Sequence, residues 1–501
     1  MFKKVLIANR GEIAVRIAQT LHEMGISVVG VYSDPDRAAP HVSRADEAYP
    51  LEGITSGETY LRIDRIIGIA QQCGADAIHP GYGFLSENAE FAQACADAGI
   101  TFIGPKPDAI RAMGDKVIAK RIMEKAGVPV VPGWSSDANI SIARLRREAE
   151  TIGYPALIKA AASGGGKGMR VVERSEDLDG ALEAAQREAN AAFGDARVFL
   201  EKYLPRARHV EIQILGDSRG RVIHLFEREC SIQRRHQKII EEAPSPALDD
   251  DLRQRMGEAA VRAAEAIGYE NAGTVEFMLD ETGDFYFLEV NTRLQVEHPV
   301  TEMTVNCDLV RAQVMVAAGE SLPYTEGDIY QSGHAIECRI YAEDANRDFL
   351  PSTGEILLYD PPLGSNIRVD SGVERGSVVS VNYDPMLAKV IAWGWNRNEA
   401  ITRMLHALRN FVIMGVTTNI DFLREVMSHE AFRAGDLHTR FLDEHRIIAD
   451  RDDRVSEEAL IVAALTVSGR RRAEIAGSGE NDRMTGSAAG PWETAGVWRA
   501  V

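Results

Sequence analysis

The sequence predicts an α/β amino-terminal domain followed by an α+β body. Three observations support this. Short apolar strands alternate with amphipathic helices over residues 3–103. A glycine run, Ser163-Gly-Gly-Gly-Lys-Gly-Met169, separates two strand-like segments. From residue 198 to about 445, hairpin patterns and helices follow one another.

In order, residues 3–8 read as a buried strand. Ile13, Ile17, Leu21 and Met24 then line one stripe of a helix, which Gly25 ends. Strands are expected at 27–32, 77–79 and 101–103, with a helix at 87–98 between the last two. This alternation implies a parallel sheet. The turn Asn9-Arg10-Gly11-Glu12-Ile13-Ala14 lacks G-x-G-x-x-G, which argues against a nicotinamide-dinucleotide domain. Pro129 and Pro132 mark a connection. A small unit follows: a helix, a strand at 156–160, the glycine loop, a strand at 169–173, a helix at 178–192 and a strand at 198–202. Beyond residue 446, Leu460, Ala464 and Val467 line a short helix, and 477–490 reads as a Gly/Ser linker. Trp492 and Trp498 then serve either as interface anchors or as the end of a domain boundary.

The 501 residues are 45% hydrophobic and 26% charged, an ordinary globular composition. A net charge of −19 argues against nucleic-acid binding and requires any phosphate site to concentrate its cations. The five cysteines show no C-x-x-C, so a reducing cytoplasm is expected. The apolar run after Lys3 and Lys4 is too short for a signal peptide, and no stretch reaches membrane-spanning length.

The chemistry concentrates in the segment from Thr274 to Arg293, which reads as a hairpin around a Thr-Gly turn. With Leu279 opposite Tyr286, Glu276 faces Glu289. Like charges there destabilise a sheet unless a cation lies between them. Asn291 adds a third oxygen on the same strand face. Mg²⁺ favours such a set, completed by phosphates and water. The glycine run lets backbone N–H groups approach phosphate, with Lys167 adding charge, but lacks the Ser or Thr of a Walker A loop. A flexible hairpin tip is the alternative. Lys159 ends an apolar strand, where an unpaired ammonium calls for an anion. His209, Glu211 and Gln213 alternate with Val210, Ile212 and Ile214, which taken alone describes a strand with a solvated face. Arg234, Arg235, His236 and Lys238 crowd five positions of an acidic chain and suggest an anion site. Cys230 reads as a packed residue. Arg293 suits a planar oxyanion, and Glu297 is a candidate base.

Several longer motifs occur in order: Ala8-Asn-Arg-Gly-Glu-Ile-Ala14, His79-Pro-Gly-Tyr-Gly-Phe-Leu-Ser-Glu-Asn88, the glycine run, Cys230-Ser-Ile-Gln-Arg-Arg-His-Gln-Lys238, and Glu289-Val-Asn-Thr-Arg-Leu-Gln-Val-Glu-His-Pro-Val-Thr-Glu302. Together they closely resemble those of the biotin carboxylases. The resemblance covers about 1–446. It implies a Rossmann-like domain at 1–114, an ATP-grasp linker and mobile lid at 115–203, and an ATP-grasp body with a biotin carboxylase C-terminal domain at 204–446. Residues 447–501 would form a helix and flexible tail. ATP and bicarbonate would give carboxyphosphate, whose carboxyl group passes to N1′ of biotin.

By motif position the resemblance places Lys116, Lys159, Gly165, Gly166 and His209 on ATP phosphates. It places Glu201, Lys202 and Leu204 on adenine and His236 at the ribose. Glu276, Glu289 and Asn291 would bind one or two Mg²⁺ or Mn²⁺ ions. Lys238, Arg293 and Val296 would hold bicarbonate, Glu297 would deprotonate it, and Arg339 would stabilise the biotin enolate. The implied partners are a biotin carboxyl carrier protein, a second copy of the chain and a carboxyltransferase subunit. No Met-Lys-Met occurs, so biotin is expected on a separate carrier. The final acceptor stays open among acetyl-CoA, propionyl-CoA, another acyl-CoA and pyruvate. Another ATP-grasp ligase, or a nucleotide-binding scaffold, is the alternative.

Overall fold

The inner amino-terminal strands, at 4–7, 27–32 and 77–79, are nearly continuous runs of apolar residues, as a sheet covered on both faces requires, and the edge strands are less so. In the computed structural model, which describes residues 1–134, 142–160 and 169–447, they are β1 (Lys4–Ile7), β2 (Ser27–Tyr32), β3 (Glu47–Pro50), β4 (Ala77–His79) and β5 (Thr101–Phe102). They form a parallel sheet in the order β3-β2-β1-β4-β5, that of a Rossmann-type fold. Helix Gly11–Glu23 packs its Ile13, Ile17 and Leu21 stripe into the core. Helix Ala89–Asp97 begins at Asn88, whose side chain accepts from the Phe91 N–H at 2.9 Å. This caps an otherwise unpaired donor.

A second sheet joins β6 (Gly133–Trp134), β7 (Ala156–Ala160), β8 (Arg170–Val172) and β9 (Val198–Lys202) in the order β6-β9-β7-β8. Helices Ile142–Ile152 and Leu178–Phe193 bury Leu145, Ala149, Leu178 and Leu182 against it. This small core is separate from the other hydrophobic clusters.

The body is an eight-stranded sheet among the described residues. Its strands are β10 (Arg208–Gly216), β11 (Val222–Arg234), β12 (Gln237–Ala243), β13 (Asn271–Leu279), β14 (Phe285–Asn291), β15 (His334–Tyr341), β16 (Ile367–Ser371) and β17 (Met386–Gly394). Their order is β14-β13-β10-β11-β12-β15-β17-β16. Helix Asp250–Ala266 covers one part, burying Met256, Ala260 and Ala264. Helix Arg397–Asn410 covers another, with Ile401, Met404 and Leu408 in the core. Among the described residues no helix is long and apolar enough to cross a membrane. The helix and linker expected at 447–501 lie almost wholly outside the described residues.

Candidate active site

The hairpin forms, but its register differs from the expected one near the turn. Leu279 pairs with Phe285, not Tyr286. A bulge between Glu276 and Phe277 then restores the pairing of Glu276 with Glu289. The bulge inserts one residue into one strand, so the two corrections cancel. On the other side of β13, Glu276 pairs with Glu211 of β10, and Glu211 pairs with Arg228 of β11. Arg228, Glu211, Glu276 and Glu289 therefore form one row across four adjacent strands.

The polar face of β10 is not solvated, contrary to the reading of that strand alone. His209, Glu211 and Gln213 are all buried, the last two completely. Alternation reveals a polar face but cannot say what covers it. Here it is covered by charge. Arg228 donates to Glu211 at 2.5 Å and also binds Gln213, Thr274 and Thr301. Lys238 Nζ lies 2.5 Å from Glu211, 2.8 Å from Glu276 and 2.7 Å from Glu297. Arg339 reaches Glu297 at 3.0 Å.

These contacts set the protonation states. Burial penalises the Glu297 carboxylate, but Lys238, Arg339 and Arg228 outweigh it and hold its pKa well below the usual range. Burial likewise opposes Glu276, and Lys238 with His209 overcomes it. Lys238 goes the other way: burial disfavours the ammonium, but three carboxylates push its pKa well above the usual value. His209 Nε2 sits 3.0 Å from Glu276, whose charge outweighs burial and raises the imidazole pKa.

A cleft of about 1030 Å³ gathers the expected residues. Lys116, Lys159, Glu201, Lys202, Leu204, His209, His236, Lys238, Glu276, Glu289, Asn291, Arg293, Val296 and Arg339 all line it. Glu297 is fully buried directly behind Lys238 and Arg339. Gly165 and Gly166 lie outside the described residues. His236 reaches the cleft from the two-residue β11–β12 turn, where Arg235 and His236 have φ of 50° and 66°. Both values suit a tight hairpin with matching twist.

Two further expectations change. Lys159 is not an unpaired ammonium: its Nζ lies 2.6 Å from Glu201 Oε2, while Lys120 lies 3.2 Å from Oε1. The Glu201 side chain is committed to this clamp. Nor is 234–238 an open cationic cluster. Arg234 binds Glu343, Arg235 binds Asp348, and Lys238 is held as above. Cys230 is buried as expected, and burial pushes its thiol pKa well above the usual value. Arg293 donates to Glu87 at 2.9 Å and to Gln295 at 2.9 Å, presenting its guanidinium at the cleft wall.

Sequence reasoning passed over Arg228, Glu241 and Lys120, and dismissed Glu211. The available signal was charge inside apolar strands, as in Ile239-Ile240-Glu241-Glu242-Ala243. Their partners lie many residues away.

The acidic row fits a hard divalent cation. Glu276 and Glu289 are cross-strand neighbours, and the Asn291 amide lies 2.8 Å from Glu276 Oε1. Two carboxylates and an amide oxygen are a donor set for Mg²⁺ or Mn²⁺. Turning the Asn291 amide would aim its oxygen inward, since Nδ2 now faces Glu276. Repulsion within the row is already relieved without metal, by Lys238 and His209 at Glu276 and by Lys116, 3.3 Å from Glu289.

Three family models match the chain in order. They are Biotin carboxylase, N-terminal domain, over 1–110; Carbamoyl-phosphate synthase L chain, ATP binding domain, over 115–325; and Biotin carboxylase C-terminal domain, over 337–444. The chain is 53% identical over 468 residues to a pyruvate carboxylase subunit of Methanothermobacter thermautotrophicus, covering 93% of this chain and 95% of that one. It is 52% identical over 460 residues to the alpha subunit of the mitochondrial methylcrotonoyl-CoA carboxylase of Arabidopsis thaliana, covering 91% of this chain but spanning only 62% of that protein. The biotin carboxylase domain dimer of Hydrogenobacter thermophilus 2-oxoglutarate carboxylase, crystallised with MgADP, ADP and bicarbonate, superposes with a TM-score of 0.86 at 48% identity, over 90% of this chain and 100% of that one. With this fold, this acidic row and these matches, the chain belongs to the biotin carboxylase family of ATP-grasp ligases.

Proposed function

We propose that this chain uses ATP to carboxylate biotin on a carrier, through carboxyphosphate, as the first half-reaction of a biotin-dependent carboxylase. The observation that carries this is the Lys238 ammonium, buried against Glu211, Glu276 and Glu297 and flanked by Arg339 at the wall of one cleft.

Bicarbonate is a poor electrophile, and phosphorylation gives it a leaving group. Its oxygen attacks the γ-phosphorus, the bond to ADP breaks, and the bicarbonate proton goes to Glu297. Glu297 is ionised at neutral pH because cations surround it. Bicarbonate binding at Lys238, Arg293 and Val296 draws Lys238 charge away from Glu297. Each cation so diverted raises that carboxylate's affinity for the proton. A divalent cation held by Glu276, Glu289 and Asn291 would neutralise phosphate charge. Lys116, Lys159, Gly165, Gly166 and His209 would hold the phosphates, Glu201, Lys202 and Leu204 adenine, and His236 the ribose. With Lys159 bound to Glu201, ATP would compete for that ammonium and so report on lid closure.

In the second step the carboxyl carbon passes from phosphate to N1′ of biotin. The released phosphate is the strongest base then present and takes the N1′ proton. The ureido oxygen gains negative charge, and Arg339 stabilises it. Carboxyphosphate is labile, so the small second sheet with its glycine loop would close as a lid and exclude water.

The acceptor belongs to a partner carboxyltransferase. The matched proteins are named for pyruvate, methylcrotonoyl-CoA and 2-oxoglutarate carboxylases. An acyl-CoA or a 2-oxo acid is thus compatible with this module. We place the chain in a cytoplasmic complex, as a homodimer served by a biotin carrier. Its five free cysteines support a reducing setting. The test is bicarbonate-dependent ATP hydrolysis stimulated by free biotin and requiring Mg²⁺ or Mn²⁺. ATP turnover indifferent to bicarbonate and biotin would exclude the proposal.

A further inference from the structure

Behind Arg339 lies a pair of carboxyl groups that this chemistry does not use. Glu241 on β12 and Glu337 on β15 stand directly opposite one another, and both are fully buried. Glu241 Oε1 accepts from Arg339 Nε at 2.6 Å. The other three oxygens, Glu241 Oε2 and both of Glu337, have no hydrogen-bond partner among the described residues. The adjoining sheet face is apolar, with Ala243, Ala335, Ile391 and Val300 in one buried cluster.

Opposed like charges destabilise a sheet, and an unpaired buried carboxylate is costly. The nearby cations are already engaged. Lys238, on the same strand as Glu241, serves Glu211, Glu276 and Glu297. Arg339, on the strand of Glu337, also binds Glu297. Lys389 faces Arg339 from β17, donates to the Val296 carbonyl at 2.7 Å, and lies 3.3 Å from Glu12 and 3.8 Å from Asp370. Glu12 comes from helix Gly11–Glu23 and also accepts from the Tyr82 hydroxyl. Two further anions at 241 and 337 would add to carboxylates that already outnumber these three cations. A proton between them supplies the donor that the orphaned oxygens lack.

We propose that Glu241 and Glu337 share one proton, so that the pair presents a single negative charge, and that Glu241 is a positioning residue for the Arg339 guanidinium. This rests on the biotin-carboxylation proposal above and deepens it. Arg339 is held by Glu297 on one side and Glu241 on the other. When Glu297 takes the bicarbonate proton, its side of the clamp is neutralised. Glu241, which touches both Nε and NH2, keeps the guanidinium anchored, and NH2, released from Glu297, turns its remaining N–H toward the ureido oxygen. Burial raises the Glu241 pKa to about 7 against the pull of Arg339, and raises that of Glu337 well above the usual range against the pull of Lys389. Two interacting carboxyls titrate as a pair.

The experiment has a spectroscopic and a kinetic arm. Infrared difference spectra at neutral pH, in H₂O and D₂O, should show an isotope-sensitive carboxylic-acid C=O band that Glu337→Gln removes. In turnover, Glu241→Gln should lower the ratio of biotin-stimulated to biotin-independent, bicarbonate-dependent ATP hydrolysis by about tenfold or more. Glu241→Asp should restore part of that ratio, and Glu337→Gln, which keeps a neutral group there, should hold it within about threefold. No band lost in Glu337→Gln, or equal loss of both turnovers in Glu241→Gln, would overturn the proposal. If Glu241→Gln does not fold, the infrared comparison decides. Biotin stimulation of the unaltered chain tests the activity itself, and the band tests the pair independently of it.

Discussion

Replacing Lys238 by Met removes an ammonium that touches three carboxylates while keeping most of the length of the side chain. At separations of 2.5–2.8 Å, each contact is worth about 6 kcal/mol before desolvation, at an effective dielectric of about 20. The net cost is far smaller than that sum, because the buried ammonium gives up its hydration. Each carboxylate also keeps another cation: Arg228 for Glu211, His209 for Glu276 and Arg339 for Glu297. Breaking a buried ion pair typically costs about 3–5 kcal/mol, and the variant should fall in that range at neutral pH. The pH dependence has a definite sign. In the unaltered chain the depressed pKa values of Glu276 and Glu297 give stability that is present above the usual carboxylate range and lost as pH falls. In Lys238→Met one carboxyl of the cluster must hold a proton. Its raised pKa gives stability that is present at low pH and lost as pH rises. The stability gap should therefore widen from about pH 5 to pH 8. Urea unfolding across that interval measures it. Mn²⁺ should narrow the gap, since a cation at the acidic row replaces part of the lost charge. Equal stability of the two proteins at every pH, or a gap that closes as pH rises, would refute this account. Turnover should fall by about a hundredfold or more, as for loss of one preorganised charge at a developing anion.

For Arg339→Ala we expect biotin-stimulated turnover to fall about a hundredfold with nucleotide affinity retained, measured by kinetics beside calorimetry. Glu289→Gln should raise the metal concentration needed for half-maximal activity. It should change apo stability by no more than about 1 kcal/mol, because Glu289 is partly exposed and its Lys116 contact is long; a larger drop in urea unfolding would mark Glu289 as a structural ion-pair partner. Glu201→Gln leaves Lys159 and Lys120 without their shared carboxylate. It should cost about 2 kcal/mol in the apo protein, with part recovered on ATP binding; equal loss with and without ATP would separate the clamp from the phosphate site. Cys230→Ala should keep turnover within about threefold, since the thiol is buried and held protonated; alkylation-sensitive turnover in the unaltered chain would contradict this.

Strands at Ser27–Tyr32, Ala77–His79, Ala156–Ala160 and Val198–Lys202 occur where their apolar, β-branched runs place them. Such runs are local, and strand propensity and period are set within a few residues. The opposition of Glu276 and Glu289 was equally legible, because two strands joined by a short turn fix their own pairing. Even there the bulge, which moves Leu279 onto Phe285, left no mark in the pattern. The short β3 and the helix Ile63–Cys73 also went unread, one being brief and the other lacking a side-chain cap at its amino end. The order of elements, the acidic hairpin and, through the motifs, the residues that gather at the site are written along the chain. What each charge meets depends on how the strands are brought together. Glu211 is buried because β10 lies between β13 and β11, with Arg228 brought alongside. Lys159 finds Glu201 across the small sheet, and Glu241 faces Glu337 from a strand nearly a hundred residues away. Period and propensity act along the chain, whereas counter-charge and desolvation act across it.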